Sequence, residues 1–122
     1  YVTGSFWTGA VPLAAAFATL TELRKGEALP QMQRAGQRLR DGLGRQAANH
    51  GHAINQTGPV QMPMLSFKDD PDFALATAWA EAAAQRGVYL HPWHNWFLSS
   101  AHTDGVIDAI LDRTDDAFAA VR

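Results

Sequence analysis

The chain has 122 residues, 47% of them hydrophobic and none of them cysteine, so it can bury a core without metal or disulfide and has no thiol chemistry. Ten basic against twelve acidic residues, a formal charge of −2, leave no electrostatic footprint for nucleic acid or an anionic membrane. The longest apolar run, Val11 to Leu20, falls short of the about 20 residues that span a bilayer. No basic segment precedes it, so a signal peptide is not expected and a cytoplasmic location is.

In chain order, the first stretch is strand-like. "YVTGSFW" starts at Tyr1 without an initiator Met and reads as cut from something larger. Gly4 and Gly9 leave the backbone free to turn, and Thr3, Ser5 and Thr8 can offer hydroxyls and N–H groups to an anion. A helix opening near Pro12 adds its dipole to such a site, although a polar loop that merely caps a helix fits equally well.

That helix is predicted over residues 11–25. Leu13, Phe17, Leu20 and Leu23 recur at helical spacing, Ala14, Ala15 and Ala18 form a small-residue face, and Gly26 is the stop. A second helix, 30–50, carries Met32, Ala35, Leu39, Leu43 and Ala47 on one stripe. Arg34, Arg38, Asp41 and Arg45 form its polar face, where pairs three and four residues apart are favourable. Gly36, Gly42 and Gly44 weaken it by about 1 kcal/mol each against alanine, and Gly51 is the expected C-cap.

The period then shortens. "HAINQTG" and "PVQMPMLSFKDD" read as short strands, with Pro63 confining the second to an edge or a bulge. "DDPD" caps a third helix, 71–86, with Phe73, Ala76, Trp79 or Ala80, and Ala83 facing inward. Gly87 ends it, "VYL" and "WFLSS" are predicted strands, and "HPWHN" is the loop between them. Thr103 caps a fourth helix whose stripe is Ile107, Ile110, Leu111, Phe118 and Val121. The order ααββαββα with very short strands predicts an α+β layer, helices over a small antiparallel sheet.

Several constellations suggest chemistry without completing it. His91 and His94, with His102 beyond, lack the third and fourth matched ligands of a metal site. Ser99, Ser100, His102 and Asp104 lack the G-x-S-x-G elbow, and sequence neighbours rarely give triad geometry. Asp69, Asp70 and Asp72 surround a proline and miss the glycine and terminal glutamate of a calcium loop. The two lysines, Lys25 and Lys68, sit in solvated settings unlike the desolvated one that makes a Schiff-base lysine.

Three segments in a fixed order carry a resemblance. "TGSFWTGAVPLAAAFATLTEL", then "RLRDGL" with "RGVYLHP", then "FLSSAHTDGVIDAIL" resemble the C-terminal portion of the class III, fold-type-I pyridoxal-phosphate (PLP) aminotransferases, within them the glutamate-1-semialdehyde aminomutase-like group. The resemblance implies that residues 1–28 are the end of a large domain and a bridging Ala-rich helix, and that 29–122 are a small C-terminal α+β domain. It implies a homodimer that binds PLP and a small amine or amino acid, without nucleic acid, membrane or metal. The catalytic lysine is expected upstream of Tyr1, so the 122 residues alone should not transaminate. Ser5 or Thr8, as alternatives, would meet the phosphate of the partner subunit's PLP, and Phe6 would wall that pocket.

The opening loop is one residue longer than the family's, which keeps both hydroxyls in play. The loop before "FLSSAHT" is shorter than in the aminomutases and supplies His94, Asn95 and Trp96 as substrate-binding residues, favouring an amine or amino acid other than glutamate-1-semialdehyde. A different class of function is a free-standing α+β module that binds a partner through Trp7, Trp93 and Trp96.

Overall fold

The computed structural model describes Gly4 and residues 9–121; Ser5, Phe6 and Thr8 lie outside the described residues, as do Tyr1 to Thr3, Trp7 and Arg122. Six elements follow one another: α1 (Ala10–Arg24), α2 (Ala28–Asn49), β1 (Ile54–Thr57), β2 (Met64–Phe67), α3 (Ala74–Gln85) and α4 (Asp104–Ala120). The class is α+β, as the sequence predicts. β1 and β2 pair antiparallel, with Ile54 opposite Phe67 and Thr57 opposite Met64.

Helices α2 and α3 both pack on α4, and the hairpin closes the core from the side. Trp79, Phe118, Leu43 and Ile107 are its largest fully buried side chains. Phe67, Trp79 and Phe118 form its aromatic centre, with Trp79 and Phe118 ring centroids 4.9 Å apart. The expected stripe of α2 is buried from Ala35 to Ala47, while Met32 is half-buried.

Two glycines of that helix are packing devices. A Cβ on Gly36 would overlap the carbonyl oxygen of Val60, and one on Gly42 would overlap the methyls of Leu111 on α4. Their absence of side chain lets backbone and helix approach closely, which offsets their poor helix propensity. The polar face of α2 also differs from its expected pairing. Arg38 reaches α4, where its Nε lies 2.9 Å from Asp108, and Asp41 accepts from Gln37 instead. At the seam, the buried Thr114 hydroxyl lies 2.9 Å from Gln46 Oε1, and Gln46 Nε2 donates to the Leu111 carbonyl at 2.7 Å.

Three expectations need correction. "VYL" and "WFLSS" are extended but form no strand: two bonds, Trp96 N–H to Pro63 O and Leu98 N–H to Gln61 O, both 2.9 Å, join the second to the segment before β2. Val88 and Leu90 are buried, so the apolar alternation reports burial rather than a sheet partner. Helix α3 starts at Ala74 rather than residue 71, because Phe73 adopts a left-handed φ of 57° and the Asp70 carboxylate accepts from the N–H groups of Leu75 and Ala76. Thr103 caps α4 as expected, its hydroxyl accepting from Val106 N–H. Gly26, Gly51 and Gly87 follow α1, α2 and α3 at φ of 82°, 79° and 84°.

Helix α1 has no buried residue. Val11, Leu13, Phe17 and Leu20 are all more than half exposed, and only Leu23, near the helix end, is half-buried among its described residues.

Candidate functional site

The loop from His91 to Trp96 leaves the buried end of the 88–90 segment and returns to the core at Trp96. Pro92 fixes one φ at its start, and the return is pinned by the Trp96 N–H to Pro63 O bond. Trp96 is partly buried, its ring 6.2 Å from that of Trp79, and its indole Nε1 donates to His91 O across the loop at 3.0 Å. The loop is therefore closed on itself by one side chain rooted in the core.

Its outer face is aromatic and imidazole. Rings follow one another from Phe73 to Trp93 (6.3 Å), Trp93 to His91 (5.0 Å), His91 to His94 (5.7 Å) and His94 to Phe97 (6.4 Å). Trp93 and Phe97 are more than half exposed. Local bonds place ring protons. His94 Nδ1 lies 2.7 Å from Asn95 O, which only accepts, so Nδ1 carries a proton, and in the neutral ring Nε2 is then an acceptor. His91 Nδ1 accepts from Trp93 N–H at 3.4 Å, so its proton sits on Nε2, a donor. The loop can thus offer one donor and one acceptor to a polar ligand. Asn95 is partly buried and its amide lies 3.5 Å from Trp96 O.

The loop divides two recesses. One, about 630 Å³, lies between the extended segments and the start of α4, and includes Tyr89, Phe97, His102 and Arg113. The other, about 250 Å³, lies against α3 and includes Glu81, His91 and Trp93. His102 belongs to the turn before α4, where its Nδ1 accepts from Ser99 N–H at 3.0 Å and sits 3.2 Å from Ser99 Oγ. That contact is local, and among the described residues no acid completes a triad with it. Among the described residues no three His, Cys, Asp or Glu side chains converge as metal ligands.

The sequence-predicted substrate residues His94, Asn95 and Trp96 are therefore neighbours on one loop, but Trp96 alone is anchored in the core. Sequence reasoning placed His91 in this loop but missed Phe97 as a member of the same surface; its signal is the "HPWHNWF" spacing, whose geometry depends on the loop closing. Lys25 and Lys68 are both exposed, and Lys25 is spent on Glu22 at 2.7 Å. Ser5, Phe6 and Thr8 fall outside what is described.

No family model matches the chain. Aminopentol aminotransferase of Sphingopyxis macrogoltabida is 50% identical over 121 residues, which are 99% of this chain and 29% of that protein. Glutamate-1-semialdehyde 2,1-aminomutase of Desulfosudis oleivorans is 34% identical over 131 residues, 98% of this chain and 31% of the relative. Among solved structures, the FumI protein of Sphingopyxis sp. MTA144, in its PLP internal aldimine form, superposes at a TM-score of 0.91 and 50% identity, covering 98% of this chain and 29% of that one. An omega-transaminase from Sphaerobacter thermophilus shares the fold at a TM-score of 0.84 and 20% identity, over 97% of this chain and 30% of that one.

The homologues are thus aminotransferases and aminomutases, as the three sequence segments imply, and the cofactor that the resemblance implies is the one FumI carries. The chain spans less than a third of the length of the curated relatives it matches.

Proposed function

We propose that these 122 residues are the C-terminal part of a class III PLP-dependent aminotransferase, with residues 1–28 the end of its large domain and 29–122 its small domain. The reaction moves an amino group between an amine or amino acid and a keto acid or aldehyde. The aminotransferase reading is preferred to the 1,2-amino shift of an aminomutase because identity is 50% to the former relative and 34% to the latter. The single observation that carries the proposal is near-complete coverage of this chain at 50% identity and a TM-score of 0.91. The intact enzyme is a cytoplasmic homodimer in this reading.

Two surfaces of the chain then have roles. Ser5 or Thr8 donates to the phosphate of the cofactor in the neighbouring subunit, with Phe6 beside it. The loop His91 to Trp96 edges the substrate entrance, where His94 and Asn95 meet the substrate. Binding residues favour loops carried by a rigid scaffold, and this loop is held at both ends.

The test is the full-length protein assayed against primary amines and amino acids with a keto-acid acceptor. His94→Ala should change relative kcat/KM across substrates more than it changes cofactor affinity, read from the cofactor's absorbance. A uniform fall on all substrates with a lower melting temperature would make His94 a structural residue. The 122-residue chain incubated with PLP should show no turnover, since neither lysine is desolvated.

A further inference from the structure

We propose that Trp96 is the positioning residue of the His91–Asn95 loop, holding His91 and His94 in register for substrate rather than touching substrate itself; this rests on the reading that the loop edges the substrate entrance. Three contacts carry it. The Trp96 backbone N–H is bonded to Pro63 O at 2.9 Å, which fixes the return of the loop on the segment before β2. Its ring lies 6.2 Å from that of Trp79, which is 1% exposed and sits in the middle of the core. Its indole N–H, the only donor of the side chain, is spent on His91 O at 3.0 Å. A five-residue loop is thereby spanned by a strut whose other end is the core.

The strut acts on the side chains that point chemistry outward. His91 and His94 ring centroids are 5.7 Å apart, and their donor and acceptor nitrogens are assigned by bonds within the same loop. Freeing His91 O lets the loop sample other backbone angles, and both imidazoles then lose their relative placement. Misplacement of positioned groups by even about 1 Å can cost large factors in rate.

The experiment uses the full-length holoenzyme and the variant Trp96→Phe, which keeps a ring against Trp79 and deletes the N–H. Amide hydrogen exchange at residues 96 and 98, whose N–H groups are bonded to Pro63 O and Gln61 O at the return of the loop, should accelerate about three- to tenfold, the change expected for one neutral hydrogen bond. Over a panel of primary amines kcat/KM should fall by a similar factor, with preference between substrates blurred and cofactor absorbance unchanged. Pro92→Gly, which loosens the loop while leaving Trp96 in place, should reproduce both effects and guards against misfolding of the first variant. Unchanged exchange with a fall in kcat/KM would overturn the proposal by making Trp96 a direct substrate contact. Faster exchange with unchanged kinetics would overturn it by removing the loop from the substrate entrance, the reading on which it rests. Unchanged exchange with unchanged kinetics would show that the indole bond holds nothing.

Discussion

Gly36 and Gly44 stand eight residues apart on one helix and should respond unequally to the same substitution. Gly36→Ala drives a Cβ into the Val60 carbonyl, a backbone atom that cannot swing aside. The gain in helix propensity is at most about 1 kcal/mol, and overpacking costs typically about 1–3 kcal/mol, so a net loss of stability is expected. Gly44→Ala meets only the tip of the Gln56 side chain, at 3.3 Å. It should cost less than Gly36→Ala, since Gln56 Nε2, bonded to Arg40 O at 2.8 Å, has only to yield by a small shift while the helix gains up to about 1 kcal/mol. Urea unfolding of both variants checks the contrast; equal losses would mean that the Val60 contact is not what separates them. Thr114 offers a second test. Thr114→Val keeps the shape but leaves Gln46 Oε1 without its donor in the α2–α4 seam, and should cost about 1–3 kcal/mol. The double variant Gln46→Leu with Thr114→Val should recover only part of that loss, since the unpaired amide oxygen is gone but the Leu111 carbonyl has also lost its side-chain donors.

At the scale of elements, α3 depends on a cap that lies outside it. Asp70 binds the N–H groups of Leu75 and Ala76 across Phe73, whose positive φ bends the chain into the helix. Asp70→Ala should cost about 0.5–2 kcal/mol, measured by thermal unfolding, whereas Asp72→Ala, with one bond at 3.4 Å, should cost less. Sequence patterns made the helices legible because their signals are local. Gly26, Gly51 and Gly87 stop three helices at positive φ, and Thr103 starts the fourth. Strands were less legible, since a strand exists only by virtue of a partner. "VYL" has the right residues and no ladder, and "WFLSS" finds two bonds to residues 61–63. The start of α3 was misplaced because Pro71 resembles a first-turn proline, while the cap reaches over it from Asp70. In the site, the loop and its histidines were visible in "HPWHN", but the commitment of the Trp96 indole to His91 O was not. That bond depends on where the loop closes, and no spacing encodes it.

At the scale of the whole molecule, α1 stands apart from a core built by α2, α3, α4 and the hairpin. With no buried residue, its backbone bonds open to water at little cost, and low local contact density of this kind marks the least protected parts of a fold. Trypsin should therefore cut the 122-residue chain first at Arg24 or Lys25, leaving a resistant product that begins at Lys25 or Gly26. In the full-length protein the same bonds should be protected, if the Ala-rich face and Leu13, Phe17 and Leu20 are covered there. Early cleavage within α2 or α4 instead would show that the core does not hold without a covering partner. The packing of Trp79 against Trp96 has an optical consequence. Two indoles 6.2 Å apart and inclined by 35° share their near-ultraviolet transitions, so the pair should give a coupled circular-dichroism signal that neither ring gives alone. Trp93, more than half exposed, should be quenched by iodide while the pair is shielded. The molecule thus carries a built-in spectroscopic marker at the root of its loop, by which release of Trp96 can be seen without any label.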